Sequence, residues 1–428
     1  MNNTINLAVA SALLAAASGA QAAGGIVAGD WTIDIGGNVN AYYISNNSED
    51  SSTVKGGLAN TKGANGTTTS SINTGLLPSW LGFTGKTRQN DLDVEFAISL
   101  QPGASSKTSL ASGGGTENRQ AYISFGDQSW GTILIGKNLG EFGRDAILLD
   151  QTLLGVGSQG IVGTAGGTTT TLGRIGTGFL YADFQGQINY TSPNMNGFQF
   201  VAGVVQPINT LNQGNTAHVA VVTADTSLGR AAVDAVTGVT RSLDSSGAQT
   251  SPAYEGKVSY SFAGDVSGKV WAEAKSQKVD YTATVSETAT AVGVGVNVNV
   301  AGFGLVAYYY DAEGAGTTAW LMDGVAANGR ARDSNGGYVQ LAYTLPGVGT
   351  KVATSWGVSK LDLASGETNT AAAAGYLVKE NEMWSIGAYH PLTKHLNLVA
   401  EYSSVTSENQ LSQKNDSDIA SVGAILFF

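Results

Sequence analysis

Apolar and polar residues alternate with a period of two in segment after segment of this chain. Val292–Val300 (VGVGVNVNV) is the clearest case, because valine alternates there with glycine or asparagine. A period of two is typical of a β-strand whose two faces meet different surroundings. Trp31–Tyr43 keeps the pattern for longer than the roughly 5–6 residues of a typical soluble strand, and about as long as a tilted strand needs to cross a membrane. The alternation therefore predicts strands that separate an apolar phase from a polar one.

Sixteen segments follow this pattern, and together they predict an all-β chain. The predicted strands are Trp31–Tyr43, Pro78–Arg88, Leu92–Leu100, Arg119–Phe125, Trp130–Lys137, Phe179–Tyr190, Phe198–Gln206, Tyr254–Phe262, Lys269–Lys278, Val292–Val300, Phe303–Tyr310, Tyr338–Leu345, Lys351–Leu361, Glu382–His390, Leu396–Val405 and Ile419–Phe428.

The connections between these strands alternate in length. Those after even-numbered strands are short, as in Gln89–Asp91 and Pro391–Lys394, whereas those after odd-numbered strands are long and polar, as in Ser45–Leu76. Short turns at one end and long loops at the other are typical of outer-membrane barrels. The sequence therefore predicts a transmembrane antiparallel β-barrel of about 16 strands. The longest loop, Ile208–Ala253, contains His218–Thr223 (HVAVVT), which would fit an additional strand.

Composition excludes several other classes of protein. Only 13% of the 428 residues are charged, 58 are glycine and none is cysteine. A soluble enzyme would average roughly 25% charged residues. After the first 22 residues of this chain, no apolar run approaches the roughly 20 residues of a transmembrane helix. A net charge of −11 argues against nucleic acid as a partner. The missing cysteines exclude a disulfide framework.

Both ends of the chain carry export signals. Residues 1–22 combine the apolar stretch Leu7–Ala17 with Ala20-Gln21-Ala22, and they predict a cleaved secretory signal peptide. The mature chain is then a single barrel domain, residues 23–428. Its last strand alternates back from Phe428 and ends on an aromatic residue, as exported barrel proteins typically do. We therefore expect the protein in the cell outer membrane.

The stretch Asn118–Gly157 combines a hairpin with a long charged segment. Two short strands are followed by residues of both signs, including Glu141 and Arg144, and by a run of glycines. Such a loop is unusual in a compact soluble domain, and it fits the inside of a wide barrel, which it would narrow. Opposed rows of fixed charge across a narrow aqueous gap orient dipolar solutes and select ions by sign.

The chain resembles the trimeric, sixteen-stranded general porins of Gram-negative outer membranes. The resemblance is carried by Pro78–Lys86 (PSWLGFTGK), Asn118–Gly126 (NRQAYISFG), Gly131–Asn138 (GTILIGKN), Asn189–Phe198 (NYTSPNMNGF) and the ending Val422–Phe428. It implies a homotrimer that lets ions and small hydrophilic solutes diffuse passively. It also implies that the third outer loop, about residues 139–177, folds into the lumen and faces a ladder of basic residues on the wall.

The resemblance also implies the residues of the constriction. Arg119 matches the wall arginine of the fourth strand, whereas Trp80 and Asp183 stand where the family has arginines. These departures argue against strong anion selectivity, although Lys86 and Arg88 compensate in part. The predicted constriction comprises Trp80, Lys86, Arg88, Arg119, Glu141, Arg144, Asp145, Asp150, Tyr181 and Asp183. For each charge taken alone, a solvated position on the lumen wall is the simpler interpretation.

The remaining motifs point to no chemistry. Gly155–Gly160 satisfies the dinucleotide pattern G-x-G-x-x-G, but it lacks the preceding strand and following helix, so we interpret it as a chance match. His218, His390 and His395 are scattered and form no catalytic motif. Asn415–Asp418 could bind Ca²⁺, although a solvated loop is the simpler interpretation. We expect no cofactor, and contacts with outer-membrane lipid and lipopolysaccharide.

Three alternatives remain open at this stage. A solute-specific channel would bind its solute at the constriction, where Trp80 and Tyr181 supply aromatic rings. An outer-membrane barrel enzyme would need a histidine paired with serine or aspartate at the rim, with His218 as the candidate. A secreted β-rich adhesin would need no lipid-facing stripes and no terminal aromatic residue.

Overall fold

The computed structural model describes residues 25–63, 66–104, 116–159, 170–210, 245, 248–281, 286–371 and 374–428. Within these ranges the chain forms nineteen β-strands and one short helix. In chain order they are β1 (Ile26–Ala28), β2 (Trp31–Ser48), β3 (Thr68–Asn73), β4 (Trp80–Gln89), β5 (Leu92–Pro102), β6 (Thr116–Glu117), β7 (Ala121–Asp127), β8 (Gly131–Leu139), α1 (Arg144–Leu148), β9 (Phe184–Thr191), β10 (Phe198–Val205), β11 (Ala253–Phe262), β12 (Val266–Asp280), β13 (Ser286–Val300), β14 (Phe303–Glu313), β15 (Asp333–Thr344), β16 (Lys351–Leu361), β17 (Val378–Pro391), β18 (Leu396–Asn409) and β19 (Lys414–Phe427).

Sixteen of the strands form one closed antiparallel barrel, which confirms the predicted fold. Each pairs with its neighbours along the chain, and the last strand, β19, pairs with β2, so that Val39 stands opposite Leu426. Closure leaves no open sheet edge, as crossing a bilayer requires, because every backbone group must be paired internally. The three short strands lie outside this ring: β1 and β3 pair with β2, and β6 pairs with β5.

The two faces of each strand have opposite character. On β2, Val39 and Tyr43 are 60% and 50% exposed, whereas Asn40 and Tyr42 between them are almost fully buried. The last strand repeats this, with Val422 and Leu426 exposed and Ile425 buried. A closed sheet with an apolar outer face presents that face to lipid, and the alternation that predicted the strands is the pattern that this arrangement requires.

All sixteen predicted strands correspond to barrel strands, and four of them begin later than predicted, with β4 starting at Trp80, β7 at Ala121, β8 at Gly131 and β9 at Phe184. The sixth was predicted from Phe179, but β9 begins at Phe184 because Asp183 has a left-handed backbone (φ 53°) and Tyr181 pairs with Ala319 instead. The fourth was predicted from Arg119, but β7 begins at Ala121. The possible extra strand His218–Thr223 lies outside the described residues.

The turns at one end of the barrel are tight, as predicted. Asn90 and Asp91 join β4 to β5 and both have positive φ angles, which a two-residue hairpin of matching twist requires. At the other end, the predicted alternation of short and long connections is incomplete. The β12–β13 and β18–β19 ladders continue outward, to Asp280 opposite Ser286 and Glu408 opposite Lys414, so those two connections are short.

The chain end is fixed by backbone hydrogen bonds. Phe428 and Gly37 exchange two of them, each 3.0 Å long, so the terminal residue continues the barrel seam. In the residues that the structure describes, no helix is long and apolar enough to cross a membrane.

A charge on the lipid-facing side should weaken the barrel. Val294 lies near the middle of β13 and is 54% exposed. We predict that Val294→Arg lowers the free energy of unfolding in lipid vesicles by about 2–4 kcal/mol, because a cation at midplane loses its hydration. Val294→Leu is the matched control and should leave the urea midpoint unchanged. Equal unfolding of both variants would contradict the assigned outward face.

Candidate functional site

The segment between β8 and β9, residues 140–183, makes polar contacts with the barrel wall over most of its described length. It begins with α1, a single helical turn whose start, Gly143, has a left-handed backbone (φ 81°). Its partners lie on the faces of the strands opposite the exposed apolar stripe. They belong to β2, β11, β12, β15, β16 and β18.

The strongest attachment is a cluster of buried charges beside α1. Lys257 of β11 places its Nζ 2.7 Å from Glu141 Oε2 and 3.1 Å from Asp145 Oδ2. Lys269 of β12 lies 2.7 Å from Asp145, and Arg144 lies 3.0 Å from Glu141. Glu141 and Asp145 are 5% and 1% exposed. Such burial is tolerated because each carboxylate has at least two cationic partners.

The pKa values of the two acids reflect this balance. Burial alone would raise the pKa of Asp145, but Lys257 and Lys269 outweigh it and lower the pKa to about 2. Burial also acts on Glu141, and Arg144 together with Lys257 leaves its pKa below the usual value. Both carboxylates are therefore ionised at neutral pH, and their charge is compensated locally.

Two further wall carboxylates bind backbone amides at the beginning of the segment. Glu255 accepts a hydrogen bond from the N–H of Glu141, and Glu273 accepts one of 2.8 Å from the N–H of Gly143. Glu255 is itself paired with Lys275 at 2.7 Å. Buried backbone N–H groups need partners, and these wall carboxylates supply them for two amides just before α1.

A third wall carboxylate binds the backbone at Gly155–Gly157, the part of the glycine run before residue 160. Glu401 of β18 accepts hydrogen bonds from the N–H groups of Val156, at 2.9 Å, and Gly157, at 2.6 Å. A side chain at Gly155 would collide with that carboxylate, since an added Cβ would lie 1.9 Å from its oxygen. The absence of a side chain at Gly155 therefore allows the backbone to approach Glu401 closely.

Asp150 holds the middle of the segment. It accepts hydrogen bonds from the backbone and hydroxyl of Thr152, both 2.7 Å, and from Gln340 of β15. Tyr338 donates a 2.6 Å bond to the carbonyl of Ala146, and Lys351 donates a 2.7 Å bond to the carbonyl of Gln151. The sequence predicted Asp150 as a constriction residue, and the structure places it in this buried network.

A second connection packs against the first. Residues 314–332, between β14 and β15, include Trp320, whose ring lies 6.2 Å from that of Phe142 and whose Nε1 donates to Gln277. The backbone N–H of Tyr181 donates to the carbonyl of Thr318 at 2.9 Å. Nothing in the local sequence of residues 314–332 signalled this contact, since it depends on where two distant loops meet.

Four predicted residues lie together around one cavity of ≈ 440 Å³. Trp80, Arg119, Tyr181 and Asp183 all line it, between β4, β7 and the segment 140–183. Arg119 pairs with Glu117 at 2.9 Å, and its guanidinium lies 5.6 Å from the centre of the Phe184 ring. These four residues, predicted separately from the sequence, therefore lie around one cavity, and their role in a constriction stays a prediction.

Lys86 and Arg88 lie elsewhere. Lys86 pairs with Glu95 at 3.5 Å, and Arg88 pairs with Asp93 and Asp127, at the tight-turn end of β4 and β5. About half of each basic side chain is exposed. Their contribution to the electric field of the channel stays a prediction, because they pair with Glu95, Asp93 and Asp127 and not with the acids of residues 140–183.

The residues that sequence reasoning missed are the wall charges Glu255, Lys257, Lys269, Glu273 and Glu401. A signal for them was present, since all five fall on the polar face of predicted strands. The sequence did not show which distant residue each of these charges would contact. Among the described residues no three His, Cys, Asp or Glu side chains cluster as metal ligands. His390 contacts Thr350 at 2.9 Å, and His218 lies outside the described residues.

Comparison with known proteins identifies the family. The model of the Gram-negative porins matches residues 8–410, and the chain therefore belongs to the Gram-negative porin family. No curated protein sequence matches it. It is consequently an outer-membrane channel that lets solutes diffuse passively.

Solved structures share the fold at low identity. The outer membrane channel DcaP of Acinetobacter baumannii is 16% identical, with 95% of this chain and 100% of that chain covered and a TM-score of 0.63. The anion-selective porin from Comamonas acidovorans is 14% identical, with coverages of 93% and 100% and a TM-score of 0.56. Salmonella typhi OmpF, in complex with daunomycin, is 13% identical, with coverages of 94% and 99% and a TM-score of 0.55.

Removing the shared lysine should loosen the segment. We predict that Lys257→Met lowers the free energy of unfolding by about 3–5 kcal/mol, because Glu141 loses its wall cation and Asp145 loses one of two. It should also increase fluctuations of single-channel current. Lys278→Met is the control, since Lys278 forms a half-exposed pair with Asp280 that contributes about 0–1 kcal/mol. Quiet channels in Lys257→Met would contradict the anchoring role.

The anchor should also depend on pH. The pKa of Asp145 is about 2 in the folded protein and about 3.9 in an unfolded chain, so its contribution to stability is present above about pH 4 and is lost as the pH falls through 2. We predict steady single-channel currents from pH 7 to pH 5 and increasing fluctuations below about pH 3. Asp145→Asn should fluctuate already at pH 7. The same acid response in Asp145→Asn as in the wild type would contradict the assignment.

Proposed function

We propose that residues 140–183 form the third outer loop, that this loop lies in the lumen, and that it sets the width of the channel. The observation that carries the proposal is the spread of its contacts. Tyr42 of β2, Lys257 of β11, Tyr338 of β15 and Glu401 of β18 all reach it from the face opposite the apolar stripe. These strands are distributed around the ring, and a segment that contacts them all crosses its interior.

The constriction discriminates weakly between ions of opposite sign. Three charges of the predicted constriction are compensated where they lie. Glu141, Arg144 and Asp145 pair with one another and with Lys257 and Lys269. Around the cavity, Arg119 is balanced by Glu117. The net charge of −11 then favours cations slightly over anions.

The proposal also covers the export, the assembly and the lipid contacts of the channel. Residues 1–22 act as a cleaved signal peptide, and residues 23–428 form a single barrel domain without catalytic activity. The barrel assembles as a homotrimer, as a trimer form is described for OmpT of Vibrio cholerae. Lys360, Lys379 and Lys414 are about half exposed near the loop end of β16–β19, where they could contact lipopolysaccharide phosphates.

Reversal potential in a planar bilayer tests this proposal. With a KCl gradient across purified protein, we expect stepwise conductance and a small reversal potential displaced toward the K⁺ value, because fixed charge near the passage is almost balanced. A displacement toward the Cl⁻ value would contradict the balance and would mean that Arg119 governs selectivity. Absence of conductance from folded protein would contradict the channel itself and would favour the barrel enzyme.

A solute-specific channel is the second candidate, and the cavity favours it. Trp80 and Tyr181 both line it, and it has the size of a small-molecule site. Concentration-dependent, saturable block of the KCl current by one solute class would distinguish it from a general pore, in which current falls only with solute size.

A further inference from the structure

The cavity beside the segment 140–183 has an apolar side that a purely hydrophilic passage would not need. The segment contributes Leu148, Leu153, Leu172 and Ile175, and Leu76 and Trp80, before and at the start of β4, also line the cavity. This composition follows from the anchoring described above. Because Glu141, Asp145 and Asp150 are buried against wall partners, most of the segment's surface beside the cavity is apolar.

The polar side of the same cavity is mixed in sign. Arg119 is 14% exposed at its side chain and pairs with Glu117, which is 44% exposed. Asp183 lies on the same cavity, and Lys137 donates to the carbonyl of Asn118 at 2.7 Å. Two formal positive and two formal negative charges therefore border one apolar surface, and their sum is zero.

We propose, resting on the proposed function, that this cavity is a binding site in the diffusion path for zwitterionic solutes with an apolar body, such as amino acids with aliphatic or aromatic side chains. The apolar body lies against Leu148, Leu172 and Trp80. The carboxylate faces Arg119, where a guanidinium offers paired donors, and the ammonium faces Asp183. A solute of net charge would meet like charge on one side, and a fully polar one would lose hydration against the leucines.

The volume fits such solutes. At ≈ 440 Å³ the cavity falls within the range of about 300–1,000 Å³ of small-molecule sites, and it is lined largely by apolar side chains with a few polar groups, as those sites are. A passage of this kind favours an apolar solute over a polar one of equal size, whereas a channel that acts only as a sieve does not.

Proteoliposome swelling with two matched amino acids tests the proposal. L-leucine and L-asparagine are both zwitterions of nearly equal mass, but leucine has the bulkier, apolar side chain, so a sieve would favour asparagine. We expect leucine to permeate several-fold faster than asparagine through the wild-type channel, after subtraction of protein-free liposomes. Equal rates, or faster entry of asparagine, would overturn the proposal.

Variants assign the effect to the cavity. Leu148→Asn with Leu172→Asn should reduce the leucine-to-asparagine ratio to about one, because both changes replace apolar lining with amides. Leu345→Asn is the matched control, since Leu345 lies exposed in a tight turn away from the cavity, and it should keep the wild-type ratio. An unchanged ratio in the double variant would overturn the proposal.

The KCl conductance of the same preparations distinguishes a failure of the proposed binding site from a failure of the proposed channel function. Normal conductance without preference for leucine leaves the channel in place and removes only the amphipathic site. Loss of conductance from correctly folded wild-type protein would instead contradict the proposed function, whatever the swelling rates show.

Discussion

The internal structure depends on the attraction between Lys257 and two acids near the start of the segment, Glu141 before α1 and Asp145 within it. Glu141 and Asp145 are removed from water, and without a cation they would protonate or leave the site. Lys257 reaches both acids with one ammonium group, whose Nζ lies 2.7 Å from Glu141 Oε2 and 3.1 Å from Asp145 Oδ2. This contact fixes where the segment begins, and Tyr338, Lys351 and Glu401 then fix its course.

The same contacts explain why Glu141 and Asp145 differ from the uncompensated acids expected of a charged constriction. A carboxylate used to fix a loop is compensated where it lies, and little of its field reaches a passing solute. In this chain Glu141 and Asp145 combine with wall lysines that are themselves buried. The cavity is bordered by a leucine-rich surface with balanced charges, and our proposal is that the hydration of the solute matters there as well as the sign of its charge.

Most of the fold could be predicted from the sequence, because in a membrane barrel apolar lipid-facing residues alternate with inward-facing residues along each strand. Val39 and Asn40 could be assigned to opposite faces without knowing any partner. The errors came where a residue's conformation is set by a distant contact. Phe179 to Asp183 alternates like a strand, yet Tyr181 pairs with Ala319, and only the folded chain brings these two together.

The candidate site was predictable in part for a related reason. Arg119, Trp80, Tyr181 and Asp183 were identified individually and do share one cavity. The sequence could not show that Lys257 rather than Arg119 faces the segment's acids, since pairing across the interior depends on the curvature of the whole barrel. It also could not show that Gly155 is required by Glu401, which lies 246 positions further along the chain.

The central claim is that the segment 140–183 occupies the lumen, and cysteine modification tests it most directly. The chain contains no cysteine, so Leu148→Cys and Val294→Cys each introduce one thiol. During single-channel recording, a charged thiol reagent should reduce the current through Leu148→Cys in discrete steps, because the adduct lies in the passage. It should leave Val294→Cys unchanged, since that side chain faces lipid. A current through Leu148→Cys that stays constant while mass measurement shows complete modification would contradict the account.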